Sequence, residues 1–436
     1  MSAAALARAA SPGLSWLGIL RLGLVQTALG AIVVLTTSTI NRAMVVEMAL
    51  PATLPGVLVG IHYAMQLLRP RMGHGADTGG RRTPWIIGGM AVLALGGAGA
   101  ALATNLFAIG LLAGGIAAVI AFLLVGAGVG AAGTALLTLL AAEVAPQRRA
   151  AAGTIVWLMM IAGFALTATL AGRLLDPFSP QRLLAVCSGI SFAAFLLAVV
   201  AVWGVESGAR PPARREVPFR TALLHVWAEA SARQFTIFVF VSMFAYATAD
   251  LVLEPFAGEV FGLTIGQSTA LAGQQHAGVA VGMVLVALAG SLGRGRFGSL
   301  RAWRVGGCIF SALVLAALAG ARPGFPLALG FFLLGVGNGA FAAAAIATMM
   351  QLAGREGEER AGMRMGLWGA AQAIAFGLGG LMGTVLVDLG RLATGQAALA
   401  YALVFATEAL LFLVSAILAY RVGAPARRAL PEGAHA

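Results

Sequence analysis

The chain contains no lysine: all 28 of its basic residues are arginine. A phosphate-binding loop of the G-xxxx-G-K-[ST] type therefore has no candidate, which excludes a pump driven through such a site. Charge of either sign is scarce, 10% of 436 residues, while 60% are hydrophobic. With a mean hydropathy of +0.93, this composition excludes an ordinary soluble domain. Cysteine is limited to Cys187 and Cys308, each in an apolar run and in different halves of the chain. Neither a disulfide nor a thiolate metal site is expected from that pattern. A cleavable leader is not expected either, because Arg8 and Arg21 precede the first span without a compact apolar core and cleavage site. The net charge of +12 does not point to nucleic acid, since the arginines fall in loops between hydrophobic runs.

What is present is a succession of apolar runs. Twelve spans of about 20 residues are predicted, at 22–46, 52–69, 85–104, 106–142, 150–173, 183–204, 235–255, 268–290, 302–320, 325–353, 363–388 and 397–420. The expected fold class is an all-α polytopic membrane protein. One side of this topology collects arginine groups such as Arg69, Arg71, Arg81 and Arg82, or Arg210, Arg214, Arg215, Arg220 and Arg233. The other receives only Arg42, Arg173, Arg182, Arg322 and Arg391. The arginine-rich side is expected to be cytoplasmic, with both termini on it. The polar stretch Glu206–Arg233, with Pro211, Pro212 and Pro218, reads as a cytoplasmic linker between bundles at 1–205 and 234–436. Its end, Thr221–Ala232, reads as a short interfacial helix.

The halves look like repeats. Glu47 and Glu254 end the first and seventh spans, His62 and His276 lie in the second and eighth, and Gly126-x-x-x-Gly130 and Gly335-x-x-x-Gly339 lie in the fourth and tenth. The offsets are 254 − 47 = 207, 276 − 62 = 214 and 335 − 126 = 209. Such constancy fits a parallel duplication into two pseudo-symmetric six-helix bundles. The glycine and alanine runs read first as packing faces.

Between the second and third spans, Gly73, Asp77, Gly80, Arg81 and Arg82 fit G-xxx-D-x-x-G-R-R. That pattern resembles a loop of the major facilitator superfamily, although Thr78 stands where a basic residue is usual. Longer blocks are similar to the PucC/LhaA family of photosynthetic bacteria, a branch of that superfamily. They are TINRAMVVEMALPATLPGVLVGIHY, GHGADTGGRRTPWI, LLDPFSPQRLL, ADLVLEPFAGEVFGLTIGQSTAL, GVGNGAFAAAAIATMMQLA and GLWGAAQAIAFGLGG. They reach across almost the whole chain, and the compact loop, with HY-x-x-Q-x-x-RP just before it, most resembles the branch that carries the name bacteriochlorophyll synthase chain.

The resemblance implies the major facilitator fold and a role in bacteriochlorophyll handling and light-harvesting antenna assembly. It implies an intracytoplasmic photosynthetic membrane. Its partners would be the lipid, bacteriochlorophyll or a precursor, and antenna polypeptides or pigment-synthesis enzymes. No intrinsic cofactor is expected; bacteriochlorophyll would be cargo. A proton-coupled exporter of a small amphipathic molecule is the alternative. Catalysis by a prenyl-diphosphate mechanism is disfavoured, because Asp250, Glu254 and Glu259 form the one acidic cluster, without a second aspartate-rich motif.

Candidate residues follow. His62 and His276 are either pigment ligands or hydrogen-bonded within the bundle. Asn41, Arg42, Glu47, Asp250 and Glu254 form either a gated polar mouth or a solvated rim; Glu259 reads as rim. Glu408, alone in the twelfth span, is a proton-coupling or a structural acid. Gln275, Asn338, Gln351 and Gln372 are expected to face the interior. Of these, Asn338 and Gln372 are candidate ligand contacts. Trp16, Trp85, Trp203 and Trp303 read as interfacial belt residues.

Overall fold

Every regular element among the described residues is helical, in a computed structural model that describes residues 13–69, 71–72, 81–145, 148–206, 227–292, 299–354 and 358–422. The first half holds α1 (Trp16–Glu47), α2 (Thr53–Met65), α3 (Thr83–Phe107), α4 (Leu111–Glu143), α5 (Arg149–Leu175) and α6 (Pro180–Val202). The second holds α7 (Ala230–Asp250), α8 (Leu253–Phe261), α9 (Ile265–Leu292), α10 (Leu300–Ala319), α11 (Leu327–Gly354), α12 (Glu358–Thr394) and α13 (Ala397–Arg421). Among the described residues eleven stretches are long and apolar enough to cross a membrane, α7 and α8 counting as one. The apolar helix Thr53–Leu68 is shorter. The expected interfacial helix at Thr221–Ala232 lies mostly outside the described residues.

Packing repeats between the halves. Helix α1 packs on α5 and α6, α3 on α4 and α6, and α2 on α4. In the second half α7 packs on α12 and α13, α10 on α11 and α13, and α9 on α11. The most extensive contacts between the halves are α2 with α12 and α5 with α9, and α1 also meets α8 and α9. The G-xxx-G pairs sit where this scheme needs close approach. A Cβ on Gly126 would run into the His62 carbonyl of α2, and one on Gly335 into the Gln275 carbonyl of α9. In lipid, where apolar surface gains nothing by leaving its surroundings, such backbone contact is a main source of helix association. Outward-facing Leu95, Leu112, Val200, Leu313 and Leu410 are exposed, as a lipid-facing surface requires. Cys187 and Cys308 are free and buried.

Two departures from regular helix face each other. Helix α1 loosens into π-helical turns at Leu35–Thr39 and Ala43–Glu47, on either side of Asn41 and Arg42. The seventh span, expected as one run at 235–255, is broken between Asp250 and Leu253. Pro255 accounts for the break: it lacks an N–H and its ring crowds the carbonyl four residues back, Leu251. Gly262, at φ +67°, then ends α8 in the left-handed conformation.

Candidate functional site

The carbonyl freed by Pro255 cannot stay bare in an apolar interior. Asn41 Nδ2 donates to Leu251 O at 2.8 Å, so the loosened α1 satisfies the broken α7. The next residue is the hub of this arginine-poor end. Arg42 is fully buried. It pairs with Glu47, donates from Nε to Ser268 Oγ at 2.9 Å and from Nη2 to Leu263 O at 2.8 Å. Its guanidinium lies over Gly258, where a Cβ would meet Nη2. Glu254, also buried, accepts from Thr269 Oγ1 at 3.0 Å through one oxygen, while the other has no hydrogen bond. Glu259 is bound by Arg391 at 2.6 Å, and Arg391 also donates to Tyr401. The expected rim is thus a closed, internally paired layer, with Arg42 inside it rather than in water.

One histidine occupies a seam between the halves and the other lies next to one. His62 is packed on Gly126 of α4 inside the first half, and its neighbour Tyr63 is the residue that stands at the α2–α12 seam. The Nε2 of His62 is 2.9 Å from the Gln66 amide, one turn on, and its ring stands edge-on to Tyr63. Tyr63 continues across the seam to Phe376 of α12 at 5.4 Å between ring centroids, and Phe376 reaches Tyr246 of α7 at 5.6 Å. All three rings are half-buried. Gln372, one turn before Phe376, makes only a weak 3.9 Å contact to Met243 Sδ. Asp250 lies within electrostatic reach of Tyr63, Tyr246, Glu254 and Glu408. His276 lies at the α5–α9 seam, buried, its ring 5.0 Å from that of Phe164 and its Nδ1 without a hydrogen bond. Around it Leu158, Ile161 and Phe164 pack against Val279, Ala280 and Met283.

Other candidates fall elsewhere. Asn338 points away from both seams and accepts from Ser311 Oγ of α10 at 2.8 Å. Gln275 is buried, but Gln351, expected inside, is exposed one turn from the end of α11. Glu408 is fully buried, against the backbone of Ala249. Gly73, Asp77 and Gly80 lie outside the described residues. Arg81 is exposed, while Arg82 is buried at the start of α3, where its backbone N–H and that of Thr83 donate to Glu206 at 2.7 and 3.0 Å. Trp16 and Trp203 are exposed at helix ends. No group of three or more His, Cys, Asp or Glu able to hold a metal ion occurs among the described residues.

Sequence reading missed the ring platform of Tyr63, Phe376 and Tyr246, and two aspartates, Asp176 and Asp388. The aspartates had a usable signal, since 388 − 176 = 212 falls on the repeat offset. The platform had none, because its members come from three helices.

Comparison with known proteins adds relatives to this geometry. Residues 39–426 match the family described as PUCC protein. The chain is 52% identical over 410 residues to the bacteriochlorophyll synthase 44.5 kDa chain of Rhodobacter capsulatus, covering 93% of this chain and 95% of that one. It is 32% identical to the protein PucC of the same organism, covering 91% and 90%. Its fold is similar to that of a bacterial homologue of the human lysosomal transporter Spinster, with a TM-score of 0.71 at 14% identity over 92% and 95% of the two chains. The nucleoside transporter NupG gives 0.69 at 12% identity over 93% and 100%. By these matches and by its two-fold repeated helical architecture, the chain is a membrane protein with the transporter-like fold and belongs to the PUCC protein family.

Proposed function

We propose that the protein binds bacteriochlorophyll, or a precursor of it, at the seams between its halves and delivers it for light-harvesting antenna assembly in the photosynthetic membrane. The observation that carries this is the ring platform. Tyr63 from one half and Tyr246 and Phe376 from the other converge half-buried, beside His62, with Asp250 within electrostatic reach of both tyrosines. Aromatic rings of this kind suit a planar apolar macrocycle. The 52% identity to a protein named for bacteriochlorophyll supports the choice of pigment. The activity is carriage rather than catalysis, with bundles at 1–205 and 234–436 moving against each other and the arginine-rich face in the cytoplasm. The buried acids Glu254 and Glu408, with half-buried Asp250 near them, favour a second reading, proton-coupled export of a small amphipathic molecule.

The test is an absorption spectrum of protein purified in mild detergent from a pigment-producing host. Wild type is expected to hold bacteriochlorophyll in stoichiometric amount. His276→Ala should shift or weaken the band, as a ring free of hydrogen bonds can ligate magnesium. His62→Ala should do less, because Gln66 already engages its Nε2. A colourless wild type, in a host full of pigment, overturns the proposal and leaves export.

A further inference from the structure

Asp176 follows the last residue of α5, and Asp388 lies in α12, two turns before its end. Each reaches across to the other half. Asp388 accepts from the backbone N–H of Ala52 at 3.1 Å, from that of Thr53 at 2.8 Å and from the Thr53 hydroxyl at 2.7 Å, all at the start of α2. Asp176 accepts from the Thr264 hydroxyl at 2.8 Å and from the backbone N–H of Gly266 at 3.3 Å, at the start of α9. A Cβ on Gly266 would run into the Asp176 carboxylate, so the approach depends on that glycine.

The two arrangements are copies. The aspartates are 388 − 176 = 212 apart and the threonines 264 − 53 = 211 apart, within the range of the other repeat offsets. Helix α2 packs on α12 as α9 packs on α5. The exchange is reciprocal: the first half supplies the acid that caps a helix of the second, and the second supplies the acid that caps a helix of the first. A carboxylate at a helix N-terminus satisfies otherwise bare N–H groups and opposes the positive end of the helix dipole.

We infer that Asp176 and Asp388 are paired latches, one per seam, that hold the arginine-poor face shut and release when the halves separate there. Helix starts without such a need close themselves. Thr264 and Gln267 already form a reciprocal cap, N–H of each to the side chain of the other at 3.0 and 3.2 Å. The Asp176 carboxylate is therefore additional to what α9 requires as a helix. Both latches can also be exchanged for water on opening. Asp176 is exposed, and Asp388 keeps Arg391 at 3.7 Å. A weld of buried apolar groups would offer no such substitute. The inference does not depend on what the seams carry.

The test uses a Cys187→Ala/Cys308→Ala chain with Val45→Cys as reporter. Val45 is a buried first-half residue packed into the second-half core at this face. Its labelling by a charged maleimide in detergent reports opening. Each of Asp176→Ala and Asp388→Ala should speed labelling about fivefold, the effect of losing one cap, and the pair about 25-fold, since the seams are independent. Asp176→Asn/Asp388→Asn, which keeps an acceptor oxygen at each site, should give a smaller acceleration. Parent-rate labelling of a monodisperse alanine pair overturns the inference, as does an effect confined to one aspartate. If the alanine pair is not monodisperse, the asparagine pair decides, with parent-rate labelling there overturning it.

Discussion

The arginine-poor end of the protein and the middle of its seams are closed by opposite kinds of contact. At the end, Asn41, Arg42, Asp176 and Asp388 bind groups of the opposite half through directional hydrogen bonds. In the middle, Ile161 and Phe164 meet Val279 and Met283, and Tyr63 meets Phe376, through surface alone. Directional bonds hold one alignment and fail together when it is lost. Apolar and aromatic surfaces keep most of their interaction through a shift and can accept another flat apolar body in place of each other. One end therefore sets the conformation, and the middle is where a ligand can enter without leaving charges bare.

The contrast can be broken most severely at Arg42. Arg42→Ala removes three polar contacts and strands the Ser268, Leu263 and Glu47 acceptors, at a cost of about 3 kcal/mol. A thermal shift assay in detergent should show the largest fall in Tm of the variants named here. Wild-type stability in Arg42→Ala would show that the polar end holds nothing. The seam is probed by Gly273→Val. Its Cβ would meet Thr169 Oγ1 at 2.5 Å and the Ala165 carbonyl at 3.0 Å, so α9 must move off α5, costing about 2 kcal/mol. The check is the same assay, with cross-linking between α5 and α9 expected to weaken in parallel. Ser311→Ala, which releases Asn338 inside the second half, should cost only about 0.6 kcal/mol, a typical interhelical hydrogen bond in a membrane. It should leave both seams unchanged.

The smallest effect lies at Glu206, outside the spans. Burial opposes its ionisation, but the backbone N–H groups of Arg82 and Thr83, helped by the Thr83 hydroxyl and the Arg82 charge, outweigh it and hold the carboxyl below the usual range. A lowered folded value means this stabilisation is complete above the ordinary carboxylate range, about 4.3. It is lost as pH falls through the folded value. Glu206→Gln should flatten the fall of Tm on acidification below that range. An unchanged slope would remove Glu206 from the packing of α3 against α6.

Much of the fold was legible because it is written in composition. Apolar length gives spans, and the repeat offset of Gly126 and Gly335 survives in equivalent packing. Local spacing also carries contacts. His62 and Gln66 are one turn apart, so their hydrogen bond follows from the helix period, and Pro255 marks the break in the seventh span. What could not be read were contacts between distant helices. Nothing near Asn41 in sequence says that its partner is the Leu251 carbonyl, and nothing near Asn338 says that it faces Ser311 rather than a seam. The π-helical turns of α1 follow from no residue type and are set by what α1 must meet.

The most direct measurement is pigment bound per chain in two variants prepared side by side. One is Tyr63→Ala/Phe376→Ala, at the seam, and the other Glu47→Gln, at the polar end. The expected result is pigment lost from the seam variant and retained by the polar-end variant. Pigment retained by the first and lost from the second would contradict a seam site and move binding to the charged layer around Arg42.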